Sequence, residues 1–138
     1  MSETATAPQK PIPVPDDASE PFFKGAMEGR LMIMRCNSCG TARIPSRTHC
    51  DNCLSTDFSW EQASGRGKVH TFAIMHQKYH PAFFDEIPYN LAVVELEEGP
   101  RLSTNLVGVK NEDIRVGMPV IVDFERYDDV ALPKFRPA

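Results

Sequence analysis

RCNSCG at residues 35–40 and CDNC at residues 50–53 are the two stretches that decide how this chain folds. Each contains a C-x-x-C pair, and ten residues separate the two pairs. Two such knuckles let four thiolates converge tetrahedrally on one metal ion. Gly40 ends the first knuckle, where the turn favours a positive φ that glycine adopts without strain. The segment has too little apolar mass to fold alone, so we expect metal binding to stabilise it.

The four cysteines predict a structural zinc ion with the ligands Cys36, Cys39, Cys50 and Cys53. Catalytic zinc keeps one position open for water or substrate, whereas this pattern fills all four positions with thiolate. His49 could compete as a ligand, but its neighbour Cys50 already has the knuckle spacing, so we interpret His49 as a bystander. Four thiolates also bind iron in rubredoxin-like sites, and the sequence leaves the choice between zinc and iron open.

Composition is that of an ordinary globular protein. The chain has 138 residues, 41% of them hydrophobic and 25% charged, with a formal net charge of -4. An acidic surface repels phosphate backbones, which argues against generic nucleic-acid binding. A signal peptide and an apolar run of about 20 residues are both absent, so we expect no membrane span and a cytoplasmic location. Thiols stay reduced there, which favours metal ligation over disulfides.

The N-terminal part divides into a tail and a short helix. Residues 1–18 are rich in proline and poor in large apolar residues, which predicts a flexible tail. In residues 19–34 we expect a docking helix, capped by Ser19 and ended by Gly29, and then a lead-in strand. The apolar face of this helix includes Phe22, Phe23 and Met27. A helix this short is marginal alone, so the face must dock on the chain's own core or on a partner.

Short strands separated by turn residues predict a small barrel or sandwich from residue 60 to residue 138. The candidate strands cover residues 69–75, 91–96, 102–109 and 119–125. The last of these alternates cleanly between apolar and polar residues, as a half-buried strand does. Gly65 and Gly67 stand at the start of the first strand, where a bulge or sharp coil helps a barrel to close.

A long loop between the first two of these strands carries a cluster of rings at Tyr79, His80, Phe83, Phe84 and Tyr89. Clustered aromatic residues in a loop indicate a contact surface, although the same rings could plug one end of the barrel. The sequence shows no nucleophile elbow, phosphate-binding loop or dinucleotide fingerprint. We therefore assign no catalytic residue and expect no catalysis by the chain alone.

Taken in order, these features resemble the acyl-CoA-associated zinc-ribbon/OB-fold family, called domain of unknown function thirty-five. The resemblance extends over residues 19–138. The matching stretches are 21–31, 35–40, Pro45, Cys50, Cys53, 64–69, 88–89, 93–102, 116–120 and 132–137. Each stretch alone is weak evidence for the resemblance, but their order along the chain is specific to this family. The resemblance implies a mainly β fold: a short N-terminal helix, a rubredoxin-like zinc ribbon at 35–59 and a small OB-fold barrel at 60–138.

The resemblance also implies a function, because members of this family are usually accessory subunits. We expect a non-catalytic subunit in a hetero-oligomer with a thiolase-fold acyl-CoA enzyme, either a thiolase or an acyltransferase. It would stabilise that enzyme and help shape the acyl-CoA passage, with Zn²⁺ as a structural cofactor and acyl-CoA as the shared ligand. A CoA-thioester aldolase or hydratase is an alternative partner. Residues expected at the partner or the passage are Phe22, Phe23, Met27, Tyr79, His80, Phe83, Phe84 and Tyr89.

Two interpretations from other classes stay open at this point. A nucleic-acid-binding OB-fold module with a zinc ribbon would need a basic groove with stacking aromatic residues. The chain has the aromatic residues, but its 19 acidic residues outnumber its 15 lysines and arginines. Electron transfer through iron would make the protein coloured. The basic residues that could meet the phosphates of CoA are Arg66, Lys68, Lys78, Lys134 and Arg136, although isolated basic residues are usually solvated surface charges.

Overall fold

The computed structural model describes residues 11–44, 47–78 and 80–138. Its regular elements are α1 Glu20–Met27, β1 Met32–Cys36, β2 Ala42–Arg43, β3 Phe58–Gln62, β4 Arg66–Met75, β5 Tyr89–Leu96, β6 Arg101–Thr104, β7 Pro119–Tyr127 and β8 Val130–Pro137, with 3-10 helices at Pro81–Glu86 and Asn111–Asp113. Residues 1–10 of the predicted tail, Pro45 and Tyr79 lie outside the described residues. The described part of the tail, residues 11–18, contains no helix or strand.

The helix α1 begins and ends where its sequence predicts. It starts after Ser19, and Gly29 follows its end at a φ of 77°, a left-handed conformation that glycine adopts freely. The predicted side-chain cap is wrong, because the Ser19 hydroxyl donates to Asp16 Oδ1 (2.7 Å) rather than accepting from the first turn. Within the described residues, no helix combines the length and the hydropathy needed to cross a bilayer.

One face of α1 packs on the chain's own core. Phe22 is only 6% exposed, and Phe23 meets it edge to face with ring centroids 5.3 Å apart. At Gly25 the helix approaches β1 so closely that an added Cβ would overlap the side chain of Met32. The sequence left two docking sites open for this face, the chain's own core and a partner. The structure shows that Phe22 packs in the chain's own core, so its ring is not open to solvent.

The cysteine segment is built on a three-stranded antiparallel sheet in the order β2–β1–β3. β1 pairs with β3 over residues 32–36 and with β2 at Met34 and Arg35. β3 spans the predicted domain boundary before residue 60, because Trp60 pairs with Met34 of the ribbon sheet. The boundary between residues 59 and 60 therefore falls inside a strand.

The second sheet has five antiparallel strands in the order β6–β5–β4–β7–β8 and is curled into a barrel. Its two edge strands almost meet, because Leu106, just beyond β6, forms a parallel bridge with Phe135 of β8. Phe135 is fully buried in a core that also receives Leu31 and Ile33 from the ribbon side. The predicted fold class is confirmed: mainly β, with one short α-helix, a zinc-ribbon sheet and a nearly closed OB-like barrel.

The start of β4 shows why glycine and a bulge were expected there. An added Cβ at Gly67 would lie 2.6 Å from the carbonyl oxygen of Glu95, so only glycine lets β5 pass this closely. The register then shifts between Val69 and Thr71, which is a β-bulge in the pairing with β5. A bulge increases the local twist of a strand, and this twist helps the sheet to curl.

Two strands of the five-stranded sheet differ from their predictions. β6 ends at Thr104 rather than at Val109, because the chain turns there to close the barrel: Phe135 N donates to Asn105 O (3.2 Å) and Val107 N donates to Phe135 O (2.8 Å). β8 was not predicted as a strand. Its two prolines, at 133 and 137, lack the N–H that a ladder needs and weaken the local strand signal.

Candidate metal centre and partner surface

Both C-x-x-C turns have the same backbone geometry. Gly40 N donates to Cys36 O (2.9 Å) in the first, and Leu54 N donates to Cys50 O (2.8 Å) in the second. The closing residues have positive φ, 78° at Gly40 and 64° at Leu54, which confirms the prediction for Gly40. The sequence does not predict a positive φ at Leu54, because this conformation costs a non-glycine residue about 1–2 kcal/mol.

The four sulfur atoms converge at one point beside the ribbon sheet. All lie within 4.8 Å of one another, with Cys36 Sγ 3.5 Å from Cys53 Sγ and Cys39 Sγ 3.6 Å from Cys50 Sγ. A tetrahedral zinc ion with Zn–S bonds of about 2.3 Å needs sulfurs about 3.8 Å apart, so the donor set fits. The four cysteines are therefore positioned to bind zinc.

Polar neighbours and the crowding of sulfurs drive the thiol pKa values apart. Hydrogen bonds with Thr41, whose Oγ1 lies 3.2 Å from Cys39 Sγ, and with Asn52 lower the pKa of Cys39 to about 5. At Cys53 a backbone hydrogen bond from Ser55 favours the thiolate, but the neighbouring sulfurs and burial outweigh it and raise the pKa to about 12. A divalent cation would let all four thiols ionise together, because it offsets the repulsion between thiolates.

Hydrogen bonds outside the sulfur cluster hold the two knuckles together. Ser38 Oγ donates to Ser55 Oγ (2.9 Å), and Asn37 Nδ2 donates to Asp57 Oδ1 (2.9 Å). His49 takes no part in the cluster: it is exposed, and its Nδ1 lies 3.0 Å from Thr48 Oγ1. This placement agrees with its interpretation as a bystander.

The aromatic loop between β4 and β5 contains the 3-10 helix Pro81–Glu86. His80 caps this helix, because its Nδ1 accepts a hydrogen bond from Ala82 N (3.0 Å). Phe83 lies between His80 and Tyr89, with ring centroids 5.8 Å and 6.0 Å away. Three of the five predicted loop residues therefore form one ring cluster.

Phe84 is the predicted loop residue that points most clearly to solvent. Its side chain is 42% exposed, and Lys78 Nζ lies 5.5 Å from the ring centroid. A cation over an aromatic face contributes about 0.5–1 kcal/mol at exposed sites. Tyr79, the fifth predicted loop residue, lies outside the described residues.

The outer face of β5 adds an exposed apolar residue that the sequence did not reveal. Burial alternates along β5, so Asn90 and Ala92 face the core while Tyr89 and Leu91 face outward. Leu91 is 44% exposed. The sequence of this strand is almost continuously apolar, and such a run does not indicate which face of a strand meets water.

The helix and the aromatic loop lie on opposite faces of the end of β7. Arg126 donates to the carbonyl oxygen of Met27 at the end of α1 (2.7 Å). Glu125 and Tyr127, its neighbours in the strand, line a cleft of about 270 Å³ together with Phe83 and other loop residues. Because successive side chains of a strand point to opposite faces, the two predicted contact segments do not merge into one surface.

Tyr127 is a titratable group in that cleft. Its hydroxyl donates a hydrogen bond to the Glu125 carboxylate. Burial, and after it this hydrogen bond, raise the pKa of Tyr127 above its ordinary value. The phenol is therefore protonated at neutral pH and acts as a donor that fixes the Glu125 side chain.

A larger groove of about 850 Å³ runs across the outside of β4 and β7. It brings together three of the basic residues considered for CoA phosphates, namely Arg66, Lys68 and Arg136. Two carboxylates, Glu95 and Glu97, line the same groove, and Lys68 Nζ lies 3.7 Å from Glu95 Oε2. The groove has mixed charge, unlike the basic track of a nucleic-acid-binding OB-fold.

A four-cysteine ribbon followed by an OB-like barrel defines the class of zinc-ribbon/OB-fold proteins. Residues 23–59 match the family model described as "ChsH2, rubredoxin-like zinc ribbon domain", and residues 60–125 match "ChsH2, C-terminal OB-fold domain". A solved structure titled "Ltp2-ChsH2(DUF35) aldolase" superposes with a TM-score of 0.80 at 41% identity, over 91% of this chain and 98% of that chain.

The chain belongs to the DUF35 family, as the resemblance predicted. A DUF35 domain-containing scaffold protein of Methanocaldococcus jannaschii is 41% identical over 116 residues, covering 78% of this chain and 81% of the relative. A probable enoyl-CoA hydratase alpha subunit of Thermomonospora curvata is 45% identical over 118 residues, covering 85% of this chain but 36% of the relative. This chain therefore spans about a third of the length of that hydratase subunit.

Proposed function

We propose that this protein is a non-catalytic accessory subunit of an enzyme that acts on CoA thioesters. It would bind the catalytic subunit in a hetero-oligomer, stabilise it and contribute to the wall of the acyl-CoA passage. The zinc ion, held by Cys36, Cys39, Cys50 and Cys53, would have a structural role, because four thiolates leave no coordination position for substrate.

A hydratase or an aldolase is the better candidate for the partner than the thiolase expected from the family resemblance. The similar proteins reported above are described as a hydratase alpha subunit, a scaffold protein and an Ltp2–ChsH2 aldolase. None of these three descriptions names a thiolase or an acyltransferase. The similarity to these relatives therefore supports the alternative partner named from the sequence, a CoA-thioester aldolase or hydratase.

The observation that carries the proposal is the apolar surface of the hairpin formed by β4 and β5. Phe84 at its tip and Leu91 on its outer face leave over two-fifths of their side chains exposed. Large apolar side chains cluster on monomer surfaces mainly where a partner covers them. We therefore expect the partner to bind this hairpin, with Phe84 as an anchor residue of the interface.

The hairpin is also the part of the chain that we place nearest to acyl-CoA. The metal site is filled by its own four ligands, whereas the ring cluster of His80, Phe83 and Tyr89 borders an open cleft. Substitutions in the hairpin should therefore change the substrate preference or the turnover of the complex. Substitutions beside the zinc site should not.

The test combines the purified chain with a candidate hydratase or aldolase subunit. Binding is measured by calorimetry, and turnover is measured with CoA thioesters for the chain, the partner and the mixture. We expect no turnover by the chain alone and a loss of affinity of about 1–3 kcal/mol for Phe84→Ala, the range of an anchor residue. Leu54→Ala, at an exposed leucine of the zinc ribbon, is the matched control and should leave turnover unchanged.

Two results would contradict the proposal. One is robust turnover of CoA thioesters by the isolated chain. The other is that the chain binds none of the hydratase, aldolase or thiolase subunits tested, at protein concentrations well above those at which subunits ordinarily associate.

A further inference from the structure

Arg43, in β2 of the ribbon sheet, is a buried cation, and only 4% of it is exposed. Its Nε and Nη2 both donate to the carbonyl oxygen of Arg47 (3.3 Å and 2.9 Å), and its guanidinium lies over the Phe58 ring, 5.2 Å from the centroid. Its Nη1 is buried without a hydrogen-bond partner, and no carboxylate of the described residues forms an ion pair with it. A buried charge in neutral surroundings is costly, which indicates that a negative charge nearby offsets it.

The strand register puts Arg43 on the face of the ribbon sheet that carries Cys36. Met34 and Cys36 are two residues apart in β1, so their side chains share a face. From β2, Arg43 pairs with Met34, and from β3, Phe58 pairs with Cys36. Residues paired across strands lie on the same face. Because β1 lies between β2 and β3, a guanidinium over the Phe58 ring reaches across β1. It therefore lies within roughly two strand spacings, or about 10 Å, of Cys36.

The four-cysteine centre supplies negative charge on this face. Four thiolates around one divalent ion make a doubly negative centre. Two of its ligands, Cys36 and Cys50, are as buried as Arg43, with exposures of 1% and 0%. Attraction between buried charges is screened much less than attraction between surface charges. Arg47 stands three residues before Cys50, so the guanidinium also holds the segment that leads into the second knuckle.

We propose that Arg43 is the counter-charge of the metal centre and makes the ribbon favour a divalent over a trivalent ion. With zinc or ferrous iron, the four-thiolate centre is a dianion, whereas with ferric iron it is a monoanion. A fixed buried cation stabilises the dianion more than the monoanion. Arg43 therefore favours zinc over ferric iron, a choice that the cysteine spacing leaves open. The inference needs no partner subunit, so it stands or falls separately from the proposed function.

The first experiment measures the zinc affinity of the full chain by competition with a chromogenic chelator. Arg43→Gln removes the charge but keeps an amide that can donate a hydrogen bond, whereas Arg43→Lys keeps the charge but loses the planar fork. We expect Arg43→Gln to bind zinc at least tenfold more weakly and Arg43→Lys to stay within about threefold of the unchanged chain. Arg47→Gln removes the same charge from an exposed residue of the same segment. It is the matched control and should leave zinc affinity unchanged.

The second experiment separates the charge of Arg43 from its hydrogen bonds. The unchanged chain and the three variants are loaded with iron in place of zinc, and the reduction potential is measured by voltammetry. Reduction of ferric to ferrous iron adds one negative charge to the centre, so a nearby cation favours it. Arg43→Gln should lower the potential by about 59 mV, which is a tenfold change for one electron. Arg43→Lys and Arg47→Gln should keep a potential close to that of the unchanged chain.

Equal losses of zinc affinity in Arg43→Gln and Arg43→Lys would overturn the inference, because the fork on the Arg47 carbonyl would then explain both losses. An unchanged reduction potential in Arg43→Gln would overturn it as well. If Arg43→Gln does not fold with either metal, Arg43→Lys decides the outcome. A lysine variant that folds and binds zinc supports the counter-charge, and one that also fails to fold overturns it.

Discussion

Phe22 and Phe84 allow one pair of substitutions to separate packing from partner binding. The sequence assigns both rings to a contact surface, but the structure buries Phe22 to 6% exposure and leaves Phe84 42% exposed. Removing a core phenylalanine costs about 3–5 kcal/mol, through lost transfer free energy and the cavity left behind. Phe22→Ala should therefore destabilise the isolated chain by about 3–4 kcal/mol.

The corresponding figure for Phe84→Ala is smaller. Full burial of an aromatic side chain is worth about 1.5–3 kcal/mol, and only part of the Phe84 ring is covered. Its contact with Lys78 adds about 0.5 kcal/mol. We expect a loss of about 1–2 kcal/mol in the isolated chain. The affinity for the partner should fall by about 1–3 kcal/mol, because the exposed part of the ring is available to the partner.

The assay is thermal unfolding of the zinc-loaded chain, followed by circular dichroism, beside calorimetric titration with the partner. In a chain of this size about 1 kcal/mol corresponds to about 3–4 °C in Tm. Phe22→Ala should lower Tm by about 10–15 °C and Phe84→Ala by about 5 °C. Phe22→Leu and Phe84→Leu are the controls, because each keeps most of the apolar area.

The reasoning fails if the two alanine variants have the same Tm. It also fails if Phe84→Ala binds the partner as tightly as the unchanged chain, because the exposed ring would then have no partner to anchor.

Three further predictions concern the metal, the barrel and pH. Cys36→Ser should reduce bound zinc, measured by elemental analysis, from about one ion per chain and unfold the ribbon, whereas a folded metal-free chain would contradict a structural role. Gly67→Ala should cost about 1–3 kcal/mol in urea unfolding, because its Cβ would force Glu95 away, and an unchanged midpoint would disprove this close approach. The raised pKa of Tyr127 means that the folded state holds this proton more tightly than the unfolded state, so its contribution is complete below about pH 10 and is lost as pH rises above it. Stability should fall as pH rises above about 10, and Tyr127→Phe should show a smaller fall over the same range; equal slopes would exclude this tyrosine as the cause.

Local signals in the sequence were enough for the metal site and for most strands. The spacing of the cysteines determines which sulfurs can meet, because each knuckle closes within five residues through its own hydrogen bonds. The alternation in β7 predicted its buried face correctly, since Val120, Val122 and Phe124 all face the core. β8 was not predicted, because its prolines weaken the strand signal in the sequence. In the structure it is paired over its whole length with β7.

The sequence by itself determined a four-cysteine metal site, a mainly β chain and membership of a zinc-ribbon/OB-fold family, because these depend on spacing and period along the chain. Only the tertiary structure decided which aromatic rings are covered and which strand edge is open. Phe22 is buried because α1 packs on the chain's own barrel, whereas Leu91 on the outer face of β5 stays 44% exposed. The edge of β4 is open because β7 pairs with only its first three residues. The exposure of a side chain or of a strand edge depends on which distant segments of the chain pack against it, and local sequence patterns do not predict that packing.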